Sequence, residues 1–457
     1  MKKIWKRIIS VLCVACMAVG FTACKDDAVT AYEIAVENGF VGTEAEWLAS
    51  LHGANGEDGQ SFTIEDLYAA AKAEGFEGSL LEFIQSLGVD VKENNDTDTI
   101  ANNVMSVTSI YCGFSKTVKT GGLFQPNHSE TTYYASAGAG VILDLNKQAG
   151  NALIVTNYHV LYDAESDAKG ISEDIYVYGY GDLLRFDPRP NGDKGGGMKA
   201  TYVGGAMDYD IALLKVEGKV KELKNATEAE LGNSEEVRLG EKVFAIGNPK
   251  GEGIAVTAGV ISTDSEYITM ASTDGQRTVD YRVMRTDAAI NSGNSGGALF
   301  DANGKLIGIT NAKYASEDVD NVGYALPITQ VKNLCDNMLA NDGVVKRAML
   351  GVKVSTTDSY ASLKDGRLQL FETFAVAEAA GKDGSSYNKF NVGDIFLTMK
   401  VNDGEEVTLT RQYQVNDLLL TVRLNDTVTF KMKDFGNGNQ KTVSITFDKE
   451  SYFTLYK

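Results

Sequence analysis

Residues 290–300 read INSGNSGGALF, with Ser295 set among Gly293, Gly296 and Gly297 and an apolar run directly after. Glycine carries a conformational cost and is used where the backbone takes dihedrals closed to other residues, or approaches another group closely. One reading is a Gly-rich turn entering a buried strand, ALFD, with DANGK as the next hairpin turn. The other is a nucleophilic serine on a tight turn whose own N–H groups face a developing oxyanion. A serine needs a base to act this way, so the rest of the chain decides between them.

Histidine is the usual base, because its unperturbed pKa lies near neutrality. The chain has three: His52, His128 and His159. His52 falls in an N-terminal spacer and His128 in a polar stretch, QPNHSETT. His159 ends ALIVTNYHVL, where a run of buried character gives way to polar residues, and is the best-placed base. A base in turn needs a carboxylate to hold its tautomer and stabilise the imidazolium. GAMDYDIALLKV offers two, Asp208 and Asp210, ahead of an apolar strand.

Working outward, short β-rich runs recur from 105 to 340, divided by Gly, Asn and Asp clusters: YYASAGAGVILD, DIYVYGY, KVFAIGN, KLIGITNAKY. This spacing predicts an all-β barrel or sandwich, closed by an amphipathic helix, ITQVKNLCDNMLAN. Residues 344–457 read as a small α+β domain with one helical run, QVNDLLLTVRL. Residues 28–90 hold an internal repeat that aligns Tyr32 with Tyr68, Phe40 with Phe76 and Trp47 with Phe83. Each copy reads as a helix, a Gly-Phe turn and a second short helix. VKENNDTDTIANN, polar and turn-rich, reads as a linker.

The start, MKKIWKRIISVLCVACMAVGFTACKDD, has a basic region and an apolar stretch from Ile8 to Phe21, short for a membrane span and fitting a secretory signal. Its FTAC end resembles a bacterial lipobox, which implies cleavage after residue 23 and a lipid on Cys24. Cys112 and Cys335 would then be the cysteines left for a disulfide, and their spacing does not say whether they meet. The net charge of −19 argues against nucleic-acid binding. The expected division is 1–23 signal, 24–104 anchor, repeats and linker, 105–343 catalytic domain, and 344–457 C-terminal domain.

TNYHV, DYDIALLKV and GNSGGAL together resemble the signature blocks of the HtrA/Deg family of trypsin-like serine proteases, with AIGNPKG, GVIS, TDAAIN and NVGYALP in matching order. The resemblance implies a mainly β, chymotrypsin-like fold of two six-stranded barrels with the site between them. It implies a triad of His159, Asp210 rather than Asp208, and Ser295, and an oxyanion hole from the N–H groups of Gly293 and Ser295. It also places Ala289 and Ile290 at the substrate pocket, where no carboxylate would greet Arg or Lys. Ser292 and Ala298 replace prolines of the family, and Asn294 replaces the aspartate that pairs with a cut N-terminus in digestive relatives.

RAMLGVKV and NVGDIFLTMKVNDGEEV resemble parts of a PDZ domain, in which Met349, Leu350, Gly351 and Val352 would hold a peptide carboxylate. GKDGSSYNKF departs from that pattern. The resemblance implies an ATP-independent endopeptidase for unfolded exported proteins. It would be lipid-anchored on the extracytoplasmic face of a bacterial membrane, with a trimer as the usual unit and no cofactor or metal. The competing class is a non-catalytic surface scaffold on a protease fold. The complete triad favours the enzyme.

Overall fold

The computed structural model describes residues 64–73, 76, 83, 96–120, 128–314, 322–364 and 367–456. Residues 1–92 and 93–457 form two compact units. In the first, the helix Ile64–Ala73 belongs to the second repeat copy. Tyr68, Phe76 and Phe83, the aromatic positions of the repeat, meet with ring centroids 6.4, 5.8 and 5.5 Å apart. The signal, Cys24, the first copy and His52 lie outside the described residues.

The second unit starts with a correction to the expected linker. Residues Asp96–Asn103 are helical, with Asp96 and Asp98 in the first turn, where the helix dipole favours negative charge. Thr99 is buried and its hydroxyl donates to the Ala302 carbonyl at 3.1 Å, docking the helix on a distant turn. Polar composition concealed this because polar contacts, the Thr99 hydroxyl bond and the Asp96–Lys242 ion pair, and not an apolar stripe, hold the helix.

Next comes a seven-stranded antiparallel sheet. In spatial order its strands are Met198–Lys199, Asp174–Tyr178, Val107–Thr120, His128–Asn146, Asn151–Thr156, Ile211–Val216 and Thr201–Ala206. A closed six-stranded barrel follows, from Lys242–Gly247, Ala255–Ala271, Thr278–Thr286, Gly323–Pro327, Leu306–Asn311 and Ala298–Asp301. The resemblance implied six strands in each; the first sheet has a seventh, two residues long. One apolar cluster joins the two layers, with Ala139, Val155 and Leu213 from the first, Ile246, Phe300 and Leu306 from the second, and Leu334 and Met338 from the helix Ile328–Ala340. This shared core packs the two layers directly against each other along the cleft. Cys112 and Cys335 are both buried and free.

Beyond the helix, Val345–Ala348 pairs with Phe453–Tyr456. A further antiparallel sheet runs Lys353–Lys364, Arg367–Glu378, Ile395–Val401, Thr427–Lys433, Gln440–Thr446, with Val407–Thr408 on its third strand. Phe374, Phe390, Phe396 and Phe430 fill its core beside the helix Tyr413–Leu419. That helix docks on the second barrel. Arg282 is buried, pairs with Asp417 and with Glu235 at 2.8 Å, and lies 3.4 Å over the Tyr413 ring. Burial pushes the Asp417 carboxyl up to about 6 against the pull of Arg282.

Candidate active site

The strand Asn151–Thr156 runs antiparallel to Ile211–Val216, with Thr156 opposite Ala212. This register sets the residues after Thr156 beside those before Ile211. Asn157 and Tyr158 both donate to the Asp210 carbonyl, at 2.9 and 3.2 Å. Tyr158–Leu161 then makes one helical turn in which Tyr158, Val160 and Leu161 are buried. His159 is the residue of that turn left facing the cleft, its side chain 21% exposed.

Asp210 is fully buried and sits in the left-handed region, φ 51°, after the short turn Met207–Tyr209. Aspartate tolerates that region better than most residues. One carboxylate oxygen accepts the His159 backbone N–H at 2.9 Å; the other lies 2.7 Å from His159 Nδ1 and accepts the Asn311 amide at 2.7 Å. Burial alone would raise the carboxyl, but His159, the Lys313 charge and the Asn311 bond hold it below the usual carboxylate range. Burial in turn lowers the Lys313 ammonium, against the pull of Asp210 and Asp274.

Ser295 Oγ lies 2.9 Å from His159 Nε2 and accepts the Ala312 N–H at 3.1 Å. Asp210, His159 and Ser295 thus form one hydrogen-bonded chain across the cleft, an arrangement able to remove the hydroxyl proton as the oxygen attacks. Among the described residues, the N–H groups of Gly293 and Ser295 have no acceptor. Gly293 has φ +95°, and a Cβ there would stand 2.2 Å from the Asn248 carbonyl. Gly296 has φ +83° and equally little room, 2.2 Å from the Ala139 carbonyl. No other residue fits either position.

Asp208 is not part of this chain. It pairs with Arg277 at 2.6 Å, and burial raises its carboxyl against that pairing. His128 is exposed at the start of its strand, paired in register with Thr120. Ala289 is exposed, whereas Ile290 is buried in the core of the second barrel with Val243, Ile261 and Leu299. Asn294 donates weakly to the Ala289 carbonyl, at 3.4 Å, and its oxygen is buried without a partner among the described residues. In the loop between Val345–Ala348 and Lys353–Lys364, Gly351 has φ +77°, and the N–H groups of Leu350, Gly351 and Val352 have no acceptor among the described residues.

Sequence reasoning missed Asn311, whose amide is the third donor to Asp210. Its place at the end of the fully buried strand Leu306–Asn311 was the available signal, since a buried amide there needs a partner. Among the described residues no cluster of His, Cys, Asp or Glu could hold a metal ion, and no helix is long and apolar enough to cross a membrane.

A family model described as a trypsin-like peptidase domain matches residues 138–309, the span that holds all three residues of the chain. "Serine protease Do-like HtrA" of Bacillus subtilis (strain 168) is 27% identical over 369 residues, 78% of this chain and 74% of that protein. "Serine protease Do-like HtrA" of Lactococcus lactis subsp. lactis (strain IL1403) is 32% identical over 284 residues, covering 59% and 62%. "Periplasmic serine endoprotease DegP" of Escherichia coli (strain K12) is 35% identical over 221 residues, covering 48% and 39%. With the fold, the cleft and these similarities in agreement, the chain carries a trypsin-like serine endopeptidase domain and is similar to HtrA-type serine proteases.

Proposed function

We propose that this chain is a lipid-anchored endopeptidase of the bacterial cell surface or envelope that degrades unfolded exported proteins by acyl-enzyme chemistry, without ATP. The observation that carries the reading is His159, bonded to Asp210 through one ring nitrogen and to Ser295 through the other. Ser295 Oγ attacks the scissile carbonyl while His159 Nε2 takes its proton. The carbonyl oxygen becomes an oxyanion and is held by the N–H groups of Gly293 and Ser295; one such donor contributes about 3–4 kcal/mol to the transition state. His159 then protonates the leaving amine, and water, activated by the same histidine, releases the acyl group. Asp210 keeps the imidazole in the tautomer that can accept at Nε2 and stabilises its charged form.

Ala289 puts no carboxylate at the pocket, and Ile290 behind it is apolar, so cleavage follows small or medium aliphatic residues. A buried basic side chain there would lose its hydration with no counter-charge. Residues 344–457 act as a PDZ-like module in which the loop Met349–Val352 receives a peptide C-terminus, supported by its three N–H groups without acceptors. Cys24 carries the lipid, and three chains assemble as the unit.

Labelling with a fluorophosphonate probe, together with casein turnover, tests the mechanism. Wild type should label and cleave; Ser295→Ala should do neither while keeping its melting temperature. Full turnover by Ser295→Ala would overturn the assignment.

A further inference from the structure

The N–H of Gly293 is useful only if the Ser292–Gly293 peptide is turned the right way, and a turn outside the triad decides this. Residues 248–251 read NPKG. The Lys250 N–H donates to the Ser292 carbonyl at 2.8 Å. In a trans peptide C=O and N–H point in opposite directions. A carbonyl anchored on the turn therefore aims the Gly293 N–H away from it. Lys250 is in the left-handed region, φ 57°, so its N–H takes this position at a backbone cost that its surroundings must hold.

Those surroundings centre on Asn248, which is fully buried. Its amide donates to the Gly138 carbonyl of the first sheet at 3.0 Å, and its oxygen accepts the Gly253 N–H at 2.8 Å. The Asn248 carbonyl accepts the Gly251 N–H at 3.0 Å, closing the turn. Tyr111, also in the first sheet, donates its hydroxyl to the Gly251 carbonyl at 2.7 Å. The neighbouring residue Ala139 donates to the Ser295 carbonyl at 2.8 Å. One short stretch of the first sheet, Gly138 and Ala139, thus holds both the turn and the nucleophile loop.

We propose that Asn248 is a positioning residue for the oxyanion hole: by tying the turn to Gly138, it holds Lys250 N–H on Ser292 and so fixes the direction of the Gly293 N–H. Tyr111 is the second tether of the same turn. The proposal rests on the reading that Gly293 and Ser295 form the oxyanion hole.

The test compares full-chain wild type with Asn248→Ala, Asn248→Asp and Tyr111→Phe. Asn248→Asp keeps the shape but loses the donor to Gly138. Each is measured for kcat and KM on a fluorogenic peptide with an aliphatic residue before the scissile bond. Each is also inhibited by the matching peptide aldehyde, whose adduct oxygen occupies the oxyanion hole, and by the product peptide. Asn248→Ala and Asn248→Asp should lose about 10- to 100-fold in kcat, short of or equal to the loss of one whole donor. The aldehyde Ki should rise by a similar factor, while KM and product inhibition stay nearly constant. Tyr111→Phe should show the same pattern, a few-fold in size. A merely structural role would instead weaken aldehyde and product alike, and that result overturns the proposal, as does unchanged kcat. If Asn248→Ala does not fold, the other two variants decide by the same ratio. Activity in Ser295→Ala would instead overturn the underlying site. An inert Ser295→Ala beside fully active Asn248 variants overturns this proposal alone.

Discussion

Replacing Asp210 by asparagine changes no volume, yet the hydrogen bonds around it predict a near-complete loss of turnover. The two carboxylate oxygens accept three donors: the backbone N–H of His159 on one, His159 Nδ1 and the Asn311 amide on the other. An asparagine supplies one acceptor and one NH₂, so it can sit in two ways. With its oxygen toward His159 Nδ1, its NH₂ faces the buried backbone N–H of His159, donor against donor, and neither can move away. An unmet buried donor costs about 1–3 kcal/mol. With its NH₂ toward Nδ1 the clash is with Asn311, a side chain that can turn. The second arrangement therefore wins, and it forces the imidazole proton onto Nε2. A protonated Nε2 cannot accept from Ser295. The expected loss is about 10⁴ in kcat, or about 5.4 kcal/mol of barrier, with KM little changed. Steady-state cleavage of a peptide substrate measures this, with circular dichroism to show that the fold persists. Asp208→Asn is the matched control: Asp208 faces Arg277 and touches no member of the triad, so its kcat should stay within about threefold. A loss below tenfold for Asp210→Asn, or an equal loss for Asp208→Asn, would refute the tautomer argument.

Asn311→Ala removes one charge-assisted bond from Asp210, worth about 1.5–3 kcal/mol, and should lower kcat by about 10- to 100-fold. Because Asp210 is held below its ordinary value, its contribution to stability is present above about pH 4 and is lost as pH falls through the lower native value. Asn311→Ala shifts that loss to higher pH, which urea titrations across pH 2–5 would detect. Asp417 has the opposite sign. Burial raises it to about 6, so between about pH 4 and pH 6 the folded chain holds a proton that the unfolded chain releases. Stability then falls as pH rises through that window, and Asp417→Asn should flatten the slope; an unchanged slope refutes it. Gly293→Ala forces a Cβ to within 2.2 Å of the Asn248 carbonyl at a φ of +95°. It should cost at least about 10² in kcat and suppress fluorophosphonate labelling; labelling at the wild-type rate would count against the oxyanion assignment.

The residues proposed to carry the chemistry were legible along the chain because each sits where a strand begins or ends. Glycines around Ser295, a histidine after ALIVTNY and an aspartate before IALLKV are local patterns, written in short windows of sequence. The helix Ile328–Ala340 was legible for the same reason, its apolar residues recurring on one face. What lay beyond local pattern was everything that depends on two distant segments meeting. The register Thr156 to Ala212 is what brings His159 to Asp210, and the same meeting separates Asp208, 14% exposed and paired with Arg277, from Asp210, which is sealed from water. Asn311 lies 101 residues from the aspartate it serves, and Asn248 lies 110 residues from the carbonyl that anchors it. The helix Asp96–Asn103 looks like linker until Thr99 reaches Ala302. A buried amide or hydroxyl carries no periodic signature, because its partner is chosen by the packing of the whole molecule. The sequence by itself determined which groups could do the chemistry. Only the tertiary structure decided which carboxylate is desolvated, which amides hold it, and which turn aims the peptide before Gly293.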